Sequence, residues 1–179
     1  MKILVPLAPG FEETEAVTII DILRRSGLNT VTAAVSDNPV QGSHSIKITA
    51  DILLNENEKY DAIVLPGGMP GTTNLKNDKR IIALVKSIYS AGGITAAICA
   101  APIVLYDAGV LKNKKFTCYP GFENEIKDAD FLTDPVVAAG NVITSRGAGT
   151  AVPFALKLAE TLAGSAKALE VKNSLMWPY

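Results

Sequence analysis

ITAAICAAP, residues 94–102, carries five apolar or β-branched residues straight into a cysteine, two alanines and a proline. So short and continuous an apolar run is the pattern of a parallel strand buried on both faces. Residues 100–108 read as a helix, which puts Cys99 on the turn between strand and helix. Ala97, Ala100 and Ala101 leave room for the tight turn of a nucleophile elbow. At a helix N-terminus, free N–H groups and the positive end of the dipole lower a thiol's pKa. Cys99 is therefore a candidate nucleophile; the competing reading is a buried cysteine packing as a small hydrophobe.

The same alternation extends in both directions. KILVPLA (2–8) reads as a buried strand, and 12–26 as a helix with Val17, Ile19, Ile20 and Leu23 on one face, closed by Gly27. NTVTAAV (29–35) reads as a strand, 44–49 as a short edge hairpin after the Pro39–Gly42 turn, and DAIVL (61–65) as a strand stopped by Pro66-Gly67-Gly68. A helical period follows over 78–91. Downstream, strands are predicted at 134–139 and 141–145 around Gly140-Asn141, and helices at about 150–163 and 165–174. No repeat or linker interrupts the pattern. Strands alternating with helices predict an α/β chain with a mostly parallel sheet covered on both faces, one domain over 1–179.

Composition removes several classes of function. With 179 residues, a formal charge of -1, 48% hydrophobic and 20% charged residues, the chain has an ordinary globular balance and no basic footprint for nucleic acid. The N-terminal MKILVPLAPGF breaks at Pro6, Pro9 and Gly10, too early for a signal peptide, and no window approaches the ~20 apolar residues of a membrane span. A cytoplasmic protein without membrane partners is expected. Two cysteines, Cys99 and Cys118, are too few for a disulfide framework or a cysteine zinc site, and one histidine, His44, makes a Ser-His-Asp triad hard to assemble.

In open parallel sheets, sites form beyond the C-terminal ends of the strands. That rule selects Ala8–Glu15, Pro66–Gly71, Cys99–Pro102 and Ser145–Thr150. The first opens a helix with Glu12, Glu13 and Glu15; acids there complement the macrodipole, and periodicity does not say which one turns toward the sheet. The glycine-rich Pro66–Gly71 turn could present N–H groups to an anion, yet it lacks the Gly-Lys-Ser/Thr ending of a phosphate loop. Ser145–Thr150 sets Arg146 and two glycines before a helix, either a site element or a structural turn.

Five segments together, LAPGFEETEAV (7–17), DILRRSG (21–27), YDAIVLPGG (60–68), AAICAAP (96–102) and ITSRGAGTA (143–151), resemble the ThiJ/PfpI superfamily. The likeness is to its branch of parkinsonism-associated protein deglycases and their bacterial relatives. The resemblance implies a flavodoxin-like three-layer α/β/α sandwich, class I glutamine-amidotransferase-like, and a homodimer with no cofactor or metal. It implies Cys99 as nucleophile and redox-sensitive thiol. Glu15 would be the largely protonated carboxyl beside it, and Gly67, Gly68 and the N–H of Ala100 its anion-binding amides. Arg25 and His44 lie where relatives carry basic residues near the pocket, His44 reaching in from the dimer partner; the alternative for His44 is an exposed hairpin residue. Many members have a histidine where this chain has Tyr119, and a phenol near pKa 10 is a poor general base at neutral pH. Cys118, beside Tyr119, is either a resolving thiol or a strand cysteine in the core.

The function so implied is cysteine-dependent chemistry on methylglyoxal or other small carbonyl compounds, or on glycated amines. The competitor is a redox sensor or chaperone acting through Cys99 sulfinate. Peptidase activity is disfavoured by the missing histidine. A thiazole-phosphate (thiamine) biosynthesis label borne by relatives finds no phosphate loop here.

Overall fold

A computed structural model describes residues 1–178. In chain order the elements are β1 (Lys2–Leu7), α1 (Glu13–Arg25), β2 (Asn29–Ala34), β3 (Val40–Gln41), β4 (Lys47–Ile48), β5 (Ile52–Leu53) and β6 (Ala62–Leu65). There follow α2 (Gly71–Asn77), α3 (Lys79–Ser90), β7 (Ile94–Ile98), α4 (Pro102–Asp107), β8 (Lys115–Phe116), β9 (Asp130–Phe131), β10 (Val136–Ala139), β11 (Val142–Ser145), α5 (Ala151–Ala163) and α6 (Ser165–Ser174). A seven-stranded sheet runs β10-β11-β7-β6-β1-β2-β5, parallel except where β10 turns back on β11. This is the α/β/α sandwich that the sequence predicts.

Because strand side chains alternate with period two, each central strand feeds two cores. Leu4, Ile63, Leu65 and Ala97 face α3 and α4. Ile3, Val5, Leu7, Val64, Ala96 and Ile98 face α1 and α5, where Ile19, Leu23, Phe154 and Leu158 meet them. These side chains are almost fully buried, and each buried Leu, Ile or Phe contributes roughly 1.5–3 kcal/mol by leaving water. With β1, β6 and β7 apolar on both faces, they fill the sheet centre, and their C-terminal ends open on one edge.

Two local expectations are revised. The hairpin before β5 pairs Val40–Gln41 with Lys47–Ile48 in a separate two-stranded sheet, so the turn lies over 42–46 instead of 39–42. The helix after Cys99 starts at Pro102, a residue whose fixed φ suits the first helical position, and it is only six residues long.

Candidate active site

Cys99 is the elbow itself. It leaves β7 with φ 64°, a left-handed conformation uncommon outside glycine, so the neighbouring structure must hold it there. The holding groups are visible: its N–H donates to Ser145 O at the end of β11 (3.0 Å), and its carbonyl accepts from Tyr119 N–H (2.8 Å). The side chain is half-buried, and the N–H groups of Gly68 and Ala100 both point at the sulfur.

Glu15 turns inward from the first turn of α1 and has no exposed surface. Its neighbours in the acidic run do other work. Glu12 caps the helix by accepting from Glu15 N–H (2.6 Å), and Glu13 accepts from the hairpin through His44 N–H (2.7 Å) and Ile46 N–H (3.3 Å). Oε2 of Glu15 accepts from Gly67 N–H (2.8 Å), whereas Oε1, equally buried, has no hydrogen-bond partner. An acceptor-only carboxylate would leave that oxygen costly; a protonated one makes it a donor. Burial, with a smaller push from the Glu12 charge, raises Glu15 from 4.5 to about 7 against the opposing Gly67 N–H.

Burial also dominates the thiol. It and the charge of an ionised Glu15 push Cys99 from 9.0 up to about 12, against the favourable amides of Gly68 and Ala100. Burial thus outweighs the lowering expected from a helix N-terminus, and α4, six residues long, begins three residues beyond the sulfur. The two groups act as a pair. When Glu15 keeps its proton, the repelling charge is gone and the two amides favour thiolate.

The glycine-rich turn serves this pair by contact. A Cβ on Gly67 would lie 2.6 Å from Cys99 Cβ and 2.8 Å from Glu15 Oε2, so only glycine lets the three segments meet. Gly67 is therefore not an anion-binding amide: its N–H belongs to Glu15, and the open amides are those of Gly68 and Ala100. The 66–71 turn lies backbone to backbone on residues 10–12, where a Cβ on Gly68 would strike Glu12 N at 2.4 Å.

Residues 1–161 match the model of the DJ-1/PfpI family. The chain belongs to that family. It is 41% identical over 179 residues to Protein DJ-1 homolog B of Arabidopsis thaliana, covering 98% of this chain and 41% of that protein, so it spans less than half the length of that relative. It is 37% identical over 171 residues, 93% of this chain and 89% of the relative, to the Caenorhabditis elegans glutathione-independent glyoxalase DJR-1.2. The crystal structure of Drosophila melanogaster DJ-1beta superposes with a TM-score of 0.95 at 41% identity, covering 100% of both chains.

The remaining candidates divide. Tyr119 stands beside the elbow, 51% exposed, its ring edge-on to Phe122 with centroids 6.4 Å apart. Arg146 follows Ser145 and donates to Thr133 O (3.0 Å) on the rim of a groove of about 540 Å³ that Tyr119 and Gly147 also line. Arg25 is not brought to the site: it ends α1, ten residues and about 15 Å of helix beyond Glu15, paired with Asp21 (2.6 Å). Within its own chain His44 lies exposed on the hairpin, with Nδ1 2.9 Å from Glu13 Oε2, and that contact raises its pKa. Cys118 is fully buried in the core, so it is not presented as a resolving thiol.

Glu12, Glu13 and His44 place potential ligand atoms within 4.8 Å of one another, but both Glu13 oxygens are already held by the hairpin. The cluster reads as a clamp. A surface groove of about 710 Å³ between 56–61 and α3 lies at the opposite ends of the strands and holds no thiol. No described helix is long and apolar enough to cross a membrane. The clamp that Glu13 makes with the hairpin is invisible in the sequence, where Glu13 is one of three helix-start acids.

Proposed function

We propose that the protein is a cysteine-dependent enzyme of the glyoxalase or deglycase type, acting on methylglyoxal or on its adducts with amines. The observation that carries this reading is the orphaned, buried Oε1 of Glu15 beside a thiol that faces two free amides. A thiolate at Cys99 adds to the aldehyde carbon, forming the S–C bond while the carbonyl electron pair moves to oxygen. The Gly68 and Ala100 amides stabilise that developing charge, and Glu15 supplies its proton. Glu15, now a carboxylate, takes the proton from the former aldehyde carbon, whose electron pair forms a C=C bond as the ketone oxygen takes up charge. Glu15 returns that proton to the adjacent carbon while the hydroxyl proton passes to the adjacent oxygen, leaving a thioester carbonyl. The product is a lactoyl thioester, and water releases lactate and the thiol. Glu15 near pKa 7 suits both directions of transfer, and no base at Tyr119 is required.

Membership of the family supports a homodimer. A second reading, a sensor in which peroxide oxidises Cys99 to sulfinate, draws on the same two amides, which would hold the new oxygens. Lactate formation from methylglyoxal in amine-free buffer separates the two. Turnover by the native protein that disappears in Cys99→Ser is the expected result. No lactate from the native protein overturns the enzyme reading, and selective oxidation of Cys99 would then carry the sensor.

A further inference from the structure

Both peptide units of the elbow are pinned. Cys99 N–H donates to Ser145 O (3.0 Å), and Cys99 O accepts from Tyr119 N–H (2.8 Å). The second bond does more than hold the left-handed φ of 64°. The peptide from Cys99 to Ala100 is trans and planar, so its carbonyl and its N–H point in opposite directions. A donor that fixes Cys99 O therefore also fixes the aim of Ala100 N–H, one of the two amides that face the sulfur.

What holds Tyr119 in place lies two residues earlier. Thr117 N–H donates to Thr144 Oγ1 (2.9 Å), and both residues are fully buried. Thr144 belongs to β11, where it pairs with Ala97 of β7, two residues before the elbow. The segment 117–119 follows β8, which pairs with β9 outside the seven-stranded sheet. At residue 117 it meets the central sheet through a side-chain acceptor, where a strand would use a backbone carbonyl. The Thr117 hydroxyl, equally buried, has no hydrogen-bond partner. Two threonines meet at one bond, and it uses only one of their hydroxyls.

We propose that Thr144 is a positioning residue for the Cys99 thiolate. Its hydroxyl fixes the 117–119 segment on β11, and Tyr119 N–H in that segment fixes the plane of the Cys99–Ala100 peptide. The plane in turn aims the Ala100 amide at the sulfur. Without the hydroxyl, Thr117 N–H is buried and unpaired, and the segment gains by moving toward a new acceptor. Tyr119 N–H moves with it and releases the peptide. The proposal rests on the reading above only in taking thiolate as the working form of Cys99, which the enzyme and the sensor share.

The test is the rate of Cys99 labelling by iodoacetamide from pH 5 to pH 10, read by peptide mass spectrometry. It compares the native protein with Thr144→Val, Thr144→Ser and Thr117→Val. Glu15 titrates beside the same sulfur under the charge of Glu12, and no variant replaces either, so each profile is set against the native one. Hydrogen bonds to a charged atom are the strong ones. Misaiming one of two should displace the Thr144→Val profile to higher pH by about one unit. Thr144→Ser keeps the acceptor and should keep the native profile, although the lost buried methyl group lowers its melting temperature. Thr117→Val makes the same chemical change across the bond, retains the N–H, and should also keep the native profile. A native profile in Thr144→Val, beside a lowered melting temperature, overturns the proposal and leaves Thr144 a packing residue. An equal displacement in Thr144→Ser or Thr117→Val overturns it as well. If Thr144→Val does not fold, hydrogen exchange of the native protein decides: equal protection of the Thr117 and Tyr119 amides supports the tie, and unequal protection overturns it. No readout uses lactate, so absent turnover removes the enzyme reading and leaves the positioning role to the profiles. Native labelling that does not rise with pH removes the thiolate and the positioning role with it.

Discussion

Cys99 and Cys118 lie on adjoining segments, joined by the bond from Tyr119 N–H to Cys99 O, and burial pushes both thiols from 9.0 up to about 12. By that measure they are the same residue. Their surroundings are not. Around Cys99 three strand ends deliver a buried acid, two free amides and a partial opening to solvent. Cys118 is closed into the core cluster that also holds Phe116 and Leu105, with the Glu123 carboxylate and amide and the Arg146 charge to modify it. Burial of a thiol therefore says little about its chemistry. What separates the two is whether the neighbours can accept a proton and hold a new negative charge.

The largest consequence is kinetic. Cys118 must wait for a local opening, and openings of core segments cost several kcal/mol, with each 1.4 kcal/mol a factor of ten. In the native protein iodoacetamide should label Cys99 on the order of a thousand times faster than Cys118. Peptide mass spectrometry over a time course reads the ratio, and similar rates would erase the distinction between the two sites.

Glu15→Gln sharpens it. A buried acid raised from 4.5 to about 7 binds a proton in the folded state that the unfolded chain has already lost. Its contribution is intact below pH ~4.5 and is lost as pH rises through ~7, a deficit on the order of 3 kcal/mol. Gln does not titrate, so the stability of the variant minus that of the native protein should climb by about that amount between pH 4 and pH 8 in urea unfolding. Cys118→Ala should give a flat difference over the same range. A flat line for Glu15→Gln would mean the carboxyl is already hydrated and ionised in the fold.

Gly67→Ala attacks the geometry that Cys118 lacks. Forcing a Cβ to 2.6 Å from Cys99 Cβ should cost about 1–3 kcal/mol, with most activity lost. Gly149→Ala, where a Cβ meets nothing within 4 Å, serves as the control and should change stability by less than ~0.5 kcal/mol. Equal thermal shifts in the two variants would show that the 66–71 turn yields.

The sequence is most legible where periodicity and length coincide. β1, β6 and β7 declare themselves as apolar runs, and α1 and α3 by one apolar face. α2 (GTTNLKN) went unread because it has almost no apolar period; the close backbone packing of Gly71 on Gly10 places it. β5, β8 and β9 are two-residue strands, too short for any period. At the site, the rule of strand ends found the loops, but it could not sort Glu12, Glu13 and Glu15, which differ only in what packs against each. Gly67 misled for a related reason: a glycine-rich turn looks alike whether its amides are open or already bonded. The thiol's pKa runs opposite to the dipole argument because burial, which one residue's place in the sequence does not show, outweighs it.

The smallest effect belongs to the outermost part of the Cys99 framework. The hairpin 42–46 closes over α1 through Glu13, and a Cβ on Gly42 would sit 2.3 Å from Glu13 Oε1, so the carboxylate rests on bare backbone. Hydrogen bonding to Glu13, then its charge, raises the His44 pKa above 6.5, with Glu12 adding to the same sign. Stability gained from that charge is fully present below pH ~6.5 and is lost as pH rises through the folded value. The melting temperature of the native protein should exceed that of His44→Gln at pH 5.5, and the gap should close by pH 9. His44 is exposed to solvent, so added salt should shrink the gap as well. A gap independent of pH and salt would place the clamp entirely in the backbone N–H groups of His44 and Ile46 on Glu13. The Cys99 loops would then be held from outside by neutral hydrogen-bond donors alone, as Cys118 is held from inside by packing.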